Sequence, residues 1–345
     1  MELMKFPAEN GRATVRGRFA PSPTGEMHLG NAWSALVSWL LVRQAGGVMV
    51  LRVEDLDPDR SRASYAKQLM RDMTWLGLDW DEGPDVGGPY GPYCQDRRRQ
   101  LYQDVLAVLT QRGLAYPCYC SRDRLRSVAS APHGNDGEWV YPGFCRELLP
   151  EAVDEWRHTQ RSPAWRLKVP PGIWRFQDGV YGPVAQDVSR EVGDFIICRS
   201  DGVAAYQLAV VVDDAAMGIT HVVRGSDLLV STPRQLLLYQ LLGQAAPTFA
   251  HVPLLCAGDG RRLSKRDGDL TLAALRRQGI AAETVVGYLA WKGGLLPEWQ
   301  PITARELIEK FSLGRLSERA VLVTEDARDR RWHASAMAGS IFGEE

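Results

Sequence analysis

Between Arg18 and Asn31 the chain reads Arg18-Phe19-Ala20-Pro21-Ser22-Pro23-Thr24-Gly25-Glu26-Met27-His28-Leu29-Gly30-Asn31, a run suited to holding an anion. His28 and Asn31 stand three apart, so at a helix start they share one face and can both donate to phosphate oxygens. Gly30 between them lets a flat ring or a phosphate approach the backbone. A small-residue turn leading into a helix adds free backbone N–H groups at the same place. A second cluster is Cys118-Tyr119-Cys120 with Tyr141-Pro142-Gly143-Phe144-Cys145. Three thiolates of this kind fit a structural Zn²⁺ site of Cys₃ plus one further ligand. The Cys-x-Cys spacing is tighter than the common Cys-x₂-Cys, and the fourth ligand stays open. His133 is the conventional choice and the Tyr141 phenolate an unusual one.

These residues need a strand, a turn and a helix to position them. Val15 to Phe19 reads as a strand, and a helix is expected from about His28 through the apolar segment Trp33 to Val42. After Gly46-Gly47, Val48 to Val53 reads as a fully buried strand of a parallel sheet. Strand, helix, strand gives a right-handed crossover and a doubly wound sheet. Glu54 follows at the C-terminal end of that second strand, where ligands collect in such sheets. Residues 60 to 76 and 95 to 113 are expected to be helical, separated by a Gly/Pro-rich loop over 81 to 92. From 115 to about 190 the chain carries many Pro, Gly, Trp and Cys residues, which reads as a smaller inserted module. The sheet is expected to resume with Asp194 to Cys198 and Ala204 to Val212. His221 to Leu229 reads as a strand entering a polar turn, Pro233 to Gly243 as a helix, and His251 to Leu255 as a strand. Beyond Leu270 the reading is helical, broken at Gly293-Gly294. The expected divisions are 1–114 and 194–270 as two halves of one sheet domain, 115–193 as the insert, and 271–345 as helices and tail.

Composition narrows the function classes. The 345 residues carry a net charge of −1, so any nucleic-acid contact must come from local basic patches rather than a global field. Those patches are Arg97 to Arg99, Arg261-Arg262 with Lys265-Arg266, Arg276-Arg277 and Arg328 to Arg331. No apolar run reaches 18 residues and Met1 to Phe6 is too short and polar for a secretory signal. A cytoplasmic protein without a membrane partner is expected, acting as a monomer. Six cysteines in a chain of this length do not form a disulfide framework. Cys94, Cys198 and Cys256 read as buried small apolar residues.

The first stretch resembles the nucleotide-binding signature of class I aminoacyl-tRNA synthetases, His-Ile-Gly-His, present here as His28-Leu29-Gly30-Asn31. With its Pro-Ser-Pro-Thr-Gly core, the whole run resembles the glutamyl/glutaminyl branch. Asn31 departs from the pattern: it keeps a donor but gives up titration and positive charge. The stretch Arg261-Arg262-Leu263-Ser264-Lys265-Arg266-Asp267-Gly268 is similar to that class's mobile lysine loop, in the Leu-Ser-Lys-Arg form of the glutamyl branch. The two together imply an adenylate-forming enzyme in which His28 and Asn31 meet the nucleotide. Lys265 would bring charge to the triphosphate as pyrophosphate leaves. ATP with Mg²⁺ is implied, with Gly30, Asp227, Leu263, Ser264 and Arg266 among its contacts. The implied amino acid is L-glutamate. Arg18 and Arg224 are fork-shaped donors suited to carboxylates, and Glu54 can take the ammonium. The resemblance adds Phe19, Ala20, Pro21, Ser22 and Tyr206 to the glutamate contacts. It also implies that Arg18 faces the side-chain carboxylate and Arg224 the α-carboxylate.

Within that branch the chain resembles the glutamyl-queuosine tRNA(Asp) synthetases, truncated relatives of the glutamyl enzymes, over roughly residues 16 to 325. In these a Cys-x-Cys…Tyr-x₃-Cys pattern holds zinc, which implies Cys118, Cys120, Tyr141 and Cys145 as ligands. Two features separate them from ordinary glutamyl-tRNA synthetases. One is the expected lack of an anticodon-gripping helical domain; the helices from about 280 to 325, including Ile302 to Phe311, match at most the start of a stem-contacting region. The other is Tyr206-Gln207-Leu208-Ala209-Val210, where an ordinary glutamyl enzyme typically has Asn in place of Val210. The implied acceptor is queuosine in the anticodon of tRNA(Asp). The rival readings are a short glutamyl-tRNA synthetase charging the 3′ end of tRNA(Glu), and a non-catalytic tRNA-binding paralogue.

Overall fold

The computed structural model describes residues 14–121, 140–148, 162–257 and 270–323. A six-stranded sheet with the order β2-β1-β8-β9-β5-β6 forms its centre. The strands are β1 (Arg16–Phe19), β2 (Val48–Leu51), β5 (Ile173–Asp178), β6 (Gly182–Asp187), β8 (His221–Gly225) and β9 (Thr248–Val252). All neighbours are parallel except the hairpin β5–β6, which closes one edge antiparallel. A three-stranded antiparallel sheet is built from β3 (Ala115–Cys118), β4 (Ala164–Leu167) and β7 (Ile196–Cys198). A third pair, β10 (Leu255–Ala257) and β11 (Val321–Val323), is parallel.

Helix α1 (Leu29–Gln44) is the element on which the sheet is laid. Apolar residues run around nearly its whole circumference, with Leu29, Ala32, Trp33, Leu36, Trp39, Leu40 and Val42 buried. A helix apolar on all sides must be covered on all sides. Here β1 and β8 lie along it, and Gly293 admits the Trp33 ring at the start of the C-terminal region, where any Cβ would strike it. Gly17 on β1 does the same for Val42. Burial of a leucine such as Leu36 or Leu40 stabilises the fold by about 1.5–3 kcal/mol each.

The remaining helices include α2 (Ala63–Trp75) and α3 (Arg99–Gln111), the latter entered through a 3₁₀ turn over Gln95–Arg98. They also include α4 (Val188–Glu191), α5 (Tyr206–Ala216), α6 (Thr232–Leu242), α7 (Leu272–Arg277), α8 (Ala282–Lys292) and α9 (Ala304–Leu307). The expected start and end of α1, and the helices near 60–76, 95–113 and 233–243, are in place. Gly243, at φ 67, ends α6 in the left-handed region that glycine tolerates.

Five expectations change. Ala204 to Val212 is not sheet: Tyr206–Ala216 is a helix with Leu208 through Asp214 all buried. Burial on every side removes the helical period, so the run Leu208 to Val212 reads like an interior strand. Asp194 to Cys198 does give a strand, but β7 pairs with β4 in the small sheet. The hairpin β5–β6, inside the stretch 115–193, joins the large sheet through β9. Val321–Val323, expected to be helical, pairs with β10. The strand expected over His251 to Leu255 is split, with β9 ending at Val252 and β10 starting at Leu255.

Candidate active site

The C-terminal ends of β1, β2 and β8 and the start of α1 border a cleft of about 150 Å³. It is lined by Arg18, Phe19, Ala20, His28, Gly30, Asn31, Glu54, Tyr206, Arg224 and Asp227 among others. An adjoining cleft of about 410 Å³ shares His28, Asn31, Glu54 and Tyr206 and adds Pro21 and Ser22. The turn is tied to the second strand because the Glu54 N–H donates to Pro21 O at 3.0 Å and the Arg52 N–H to Phe19 O at 3.0 Å. Thus residues far apart in the chain come to one place, the carboxyl edge of a parallel sheet.

His28 is the N-cap of α1, with extended backbone. Its Nδ1 accepts from the Gly30 N–H at 3.1 Å and from the Asn31 N–H at 3.4 Å. An accepting Nδ1 leaves the proton of the neutral ring on Nε2, so the ring can donate to a ligand through Nε2 only. Gly30 answers to this cap as much as to a ligand: a Cβ there would sit 3.0 Å from His28 Cε1.

Arg224 ends near the same cleft from β8, 5 % exposed. Its Nη1 donates to Tyr206 Oη at 3.4 Å, Nη2 to Thr232 Oγ1 at 2.7 Å and to Leu228 O at 3.4 Å, and Nε to His251 Nε2 at 3.0 Å. All of these are neutral groups, and among the described residues Arg224 is in no ion pair. Burial lowers its pKa, yet a guanidinium stays charged at neutral pH. A buried cation held only by neutral acceptors lacks a compensating charge, which a bound anion can supply.

Arg18 is different, because Asp214 Oδ1 stands 3.3 Å from its Nε. The same Asp214 oxygen is 2.6 Å from Arg52 Nη1, and Arg52 Nη2 is 3.1 Å from Glu54 Oε1. Arg52 Nε is 3.7 Å from Asp213 Oδ2, and Asp213 Oδ1 takes Arg98 Nε at 2.6 Å. Burial pushes the Asp214 carboxyl up, but Arg18 and Arg52 outweigh it and hold it below its ordinary range. Burial raises the Glu54 carboxyl above its ordinary range, opposed by Arg52 and Arg18. Glu54 therefore faces the cleft as a poorly solvated carboxylate, which a ligand ammonium would stabilise.

The cysteine cluster lies apart, beside β3 and β4. The Sγ atoms of Cys118, Cys120 and Cys145 all lie within 4.8 Å of one another. Tyr141 Oη is 3.5 Å from Cys118 Sγ and 3.7 Å from Cys120 Sγ, and the Cys120–Cys145 sulfur separation is 3.6 Å. Four ligands about 2.3 Å from a tetrahedral zinc stand roughly 3.8 Å apart, so this set has the right size. The shared hydrogen bond between Cys118 and Cys145 pulls the Cys118 thiol below its ordinary range, with Arg166 adding its charge, and pushes Cys145 up. Arg166 Nε donates to Cys118 Sγ at 3.3 Å, and its guanidinium carbon lies 3.7 Å from the Tyr141 ring centroid. His133 lies outside the described residues.

Leu263, Ser264, Lys265 and Arg266 also lie outside them. The flanks of 258–269 do border the cleft: Leu255 lines it, and Thr271 forms a bridge with His28 and donates to Glu26 Oε2 at 2.8 Å. Of the isolated cysteines, Cys198 and Cys256 are buried as expected and Cys94 is half-buried. Sequence reasoning passed over Arg52, Asp213, Asp214, Asp178 and His251. A charged residue inside an apolar run, such as Arg52 between Leu51 and Val53, was the available signal. For Asp178 and His251 the sequence carries none.

The family description "tRNA synthetases class I (E and Q), catalytic domain" matches residues 14–327. A protein named Glutamyl-Q tRNA(Asp) synthetase from Nitratidesulfovibrio vulgaris is 52% identical over 316 residues, covering 92% of this chain and 98% of the relative. A Glutamate--tRNA ligase from Sulfurihydrogenibium sp. is 42% identical over 295 residues, covering 86% of this chain and 60% of the ligase. Among solved structures, a glutamate tRNA ligase from Elizabethkingia meningosepticum in complex with its amino acid superposes with a TM-score of 0.82. It is 28% identical and covers 94% of this chain and 70% of that one. Matched along nearly all its length and in its class I α/β fold with a mixed, largely parallel sheet, the chain belongs to the class I tRNA synthetases of the glutamyl/glutaminyl group.

Proposed function

We propose that the protein activates L-glutamate with ATP and passes the glutamyl group to queuosine in the anticodon of tRNA(Asp). The observation that carries the first step is the cleft itself. It gathers a buried Arg224 held by neutral groups, Arg18, a raised Glu54 carboxylate and the His28-capped helix start. Two carboxylates and an ammonium find opposite charges there, with Tyr206 and Ser22 as neutral partners. The glutamate α-carboxylate oxygen attacks the α-phosphorus of ATP, which enters with its Mg²⁺. The bond to the bridging oxygen breaks and pyrophosphate leaves, giving glutamyl-adenylate. No protein nucleophile takes part: the residues position the reactants and stabilise charge. His28 Nε2, the Gly30 and Asn31 region and Asp227 bound the nucleotide side. Leu263, Ser264, Lys265 and Arg266 supply the loop that neutralises pyrophosphate. A queuosine hydroxyl then attacks the glutamyl carbonyl carbon and AMP departs.

The identity of 52% to the Glutamyl-Q tRNA(Asp) synthetase, against 42% to the glutamate ligase, supports queuosine as the acceptor. An anticodon loop can be splayed into a pocket. We place the reaction in the cytoplasm and on a single chain. No helix among the described residues is long and apolar enough to cross a membrane. Cys118, Cys120, Cys145 and Tyr141 would hold a structural Zn²⁺, fixing the module of β3, β4 and β7 beside the sheet. The test is transfer of labelled glutamate to tRNA from cells that make queuosine and from cells that cannot. Label found only on the first pool, and surviving removal of the 3′ terminal adenosine, is expected. Equal labelling of both pools, lost with the 3′ end, would make this a glutamyl-tRNA synthetase.

A further inference from the structure

Arg224 Nε always donates, so the His251 Nε2 that it meets at 3.0 Å must offer a lone pair. A neutral ring then carries its proton on Nδ1, and Nδ1 stands 2.6 Å from Asp178 Oδ2. The other Asp178 oxygen is already committed. Oδ1 accepts the N–H groups of Val180 and Tyr181 at 3.0 Å each and of His251 at 3.2 Å. Three backbone donors on Oδ1 fix the carboxylate in place and reserve Oδ2 for the imidazole. Asp178 is 2 % exposed and His251 is fully buried, so no bulk water can substitute for either bond. Successive strands carry the three residues: Asp178 ends β5, His251 is on β9, and Arg224 is its direct register partner on β8. Burial keeps the His251 pKa low, opposed by Asp178. Only one placement of the protons satisfies every donor in the chain from Asp178 to Arg224.

We propose that Asp178 and His251 are positioning residues for glutamate recognition. The anchored carboxylate selects the Nδ1–H tautomer, whose Nε2 lone pair holds the Arg224 guanidinium with its Nη1 edge beside Tyr206. Neither residue lines the cleft; they act through Arg224. This rests on the reading of Arg224 as a glutamate carboxylate ligand.

Asp178→Asn tests it with almost no change of shape. The Asn oxygen must stay with the three backbone N–H donors, so its NH₂ takes the place of Oδ2 and donates to Nδ1. His251 must then carry its proton on Nε2, aimed at the Arg224 Nε–H. Nitrogen-15 NMR of the imidazoles, with His251 assigned by its loss in His251→Gln, should show Nδ1–H in the unsubstituted protein and Nε2–H in Asp178→Asn. In glutamate-dependent ATP–pyrophosphate exchange, Asp178→Asn should raise KM for glutamate roughly 10- to 100-fold, as an unsatisfied buried donor does. KM for ATP should stay nearly unchanged. His251→Gln places an amide oxygen near the Nε2 position and has no tautomer to switch. Adding Asp178→Asn to it should therefore cost far less than Asp178→Asn alone. An Nε2–H tautomer in the unsubstituted protein would overturn the proposal, as would a switched tautomer with an unchanged glutamate KM. If the unsubstituted protein shows no glutamate-dependent exchange, the activation reading fails instead. The tautomer measurement needs no substrate and would still decide the relay.

Discussion

Replacing Arg52 by methionine should unfold more than a single salt bridge's worth of structure. The side chain is fully buried and touches three carboxylates: Asp214 at 2.6 Å, Glu54 at 3.1 Å and Asp213 at 3.7 Å. With Arg18 and Arg98 added, the network balances three cations against three anions. Methionine fills most of the volume but leaves one buried negative charge uncompensated. Breaking a buried pair by removing one partner costs about 3–5 kcal/mol, and contact with three carboxylates places Arg52 at the upper end. With a urea slope of about 3 kcal/mol per molar, a loss of about 5 kcal/mol moves the midpoint down by roughly 1.7 M. The sign of the pH dependence separates charge from packing. Without Arg52 the facing carboxyls titrate at higher pH in the folded state, so the folded variant binds protons more readily than the unfolded chain. Its deficit should therefore shrink as pH falls from 7 to about 5. Urea titrations of both proteins at the two pH values make the comparison. A deficit below about 1 kcal/mol, or one that does not change with pH, would refute the network as drawn.

Arg224→Ala should abolish glutamate-dependent ATP–pyrophosphate exchange, and an unchanged exchange rate would remove Arg224 from the amino-acid site. Glu54→Gln keeps the Arg52 contact but loses the anion for the ammonium. It should raise the glutamate Kd by roughly 10- to 100-fold, while glutarate, which lacks the ammonium, binds both forms alike. Because burial raises the Glu54 carboxyl, glutamate affinity should fall as pH drops through that raised value, where Glu54 protonates. The same raised value means that Glu54's own contribution to stability is present below its unfolded pKa and is lost as pH rises through the folded one. Cys145→Ser should lower both zinc content by elemental analysis and Tm, and equal values for both would defeat the metal assignment.

Local chemistry was legible wherever neighbours in the chain act together. The run from Arg18 to Asn31 specifies a strand, a Pro-rich turn and a capped helix because each residue's role depends on those beside it. Glu54 could be placed at the ligand-binding edge because a parallel crossover has one hand and one carboxyl edge. The Cys-x-Cys and Tyr-x₃-Cys spacings each held a local pair together, but the meeting of Cys118 and Cys120 with Tyr141 and Cys145, more than 20 residues on, is a tertiary fact. Other features were not local. Helix α5 looked like a strand because burial on all sides erased its period, and the choice was made by the elements packed around it. The hairpin β5–β6 joined the large sheet because β9 had a free parallel edge, a fact of strand order. That order carries Asp178 to His251 and His251 to Arg224, and it sets Arg52 among three carboxylates contributed by a strand end and a helix. The sequence by itself named most of the polar groups that line the cleft. Only the tertiary structure decided what holds those groups, because a buried charge is positioned by partners that strand order, not chain proximity, brings to it.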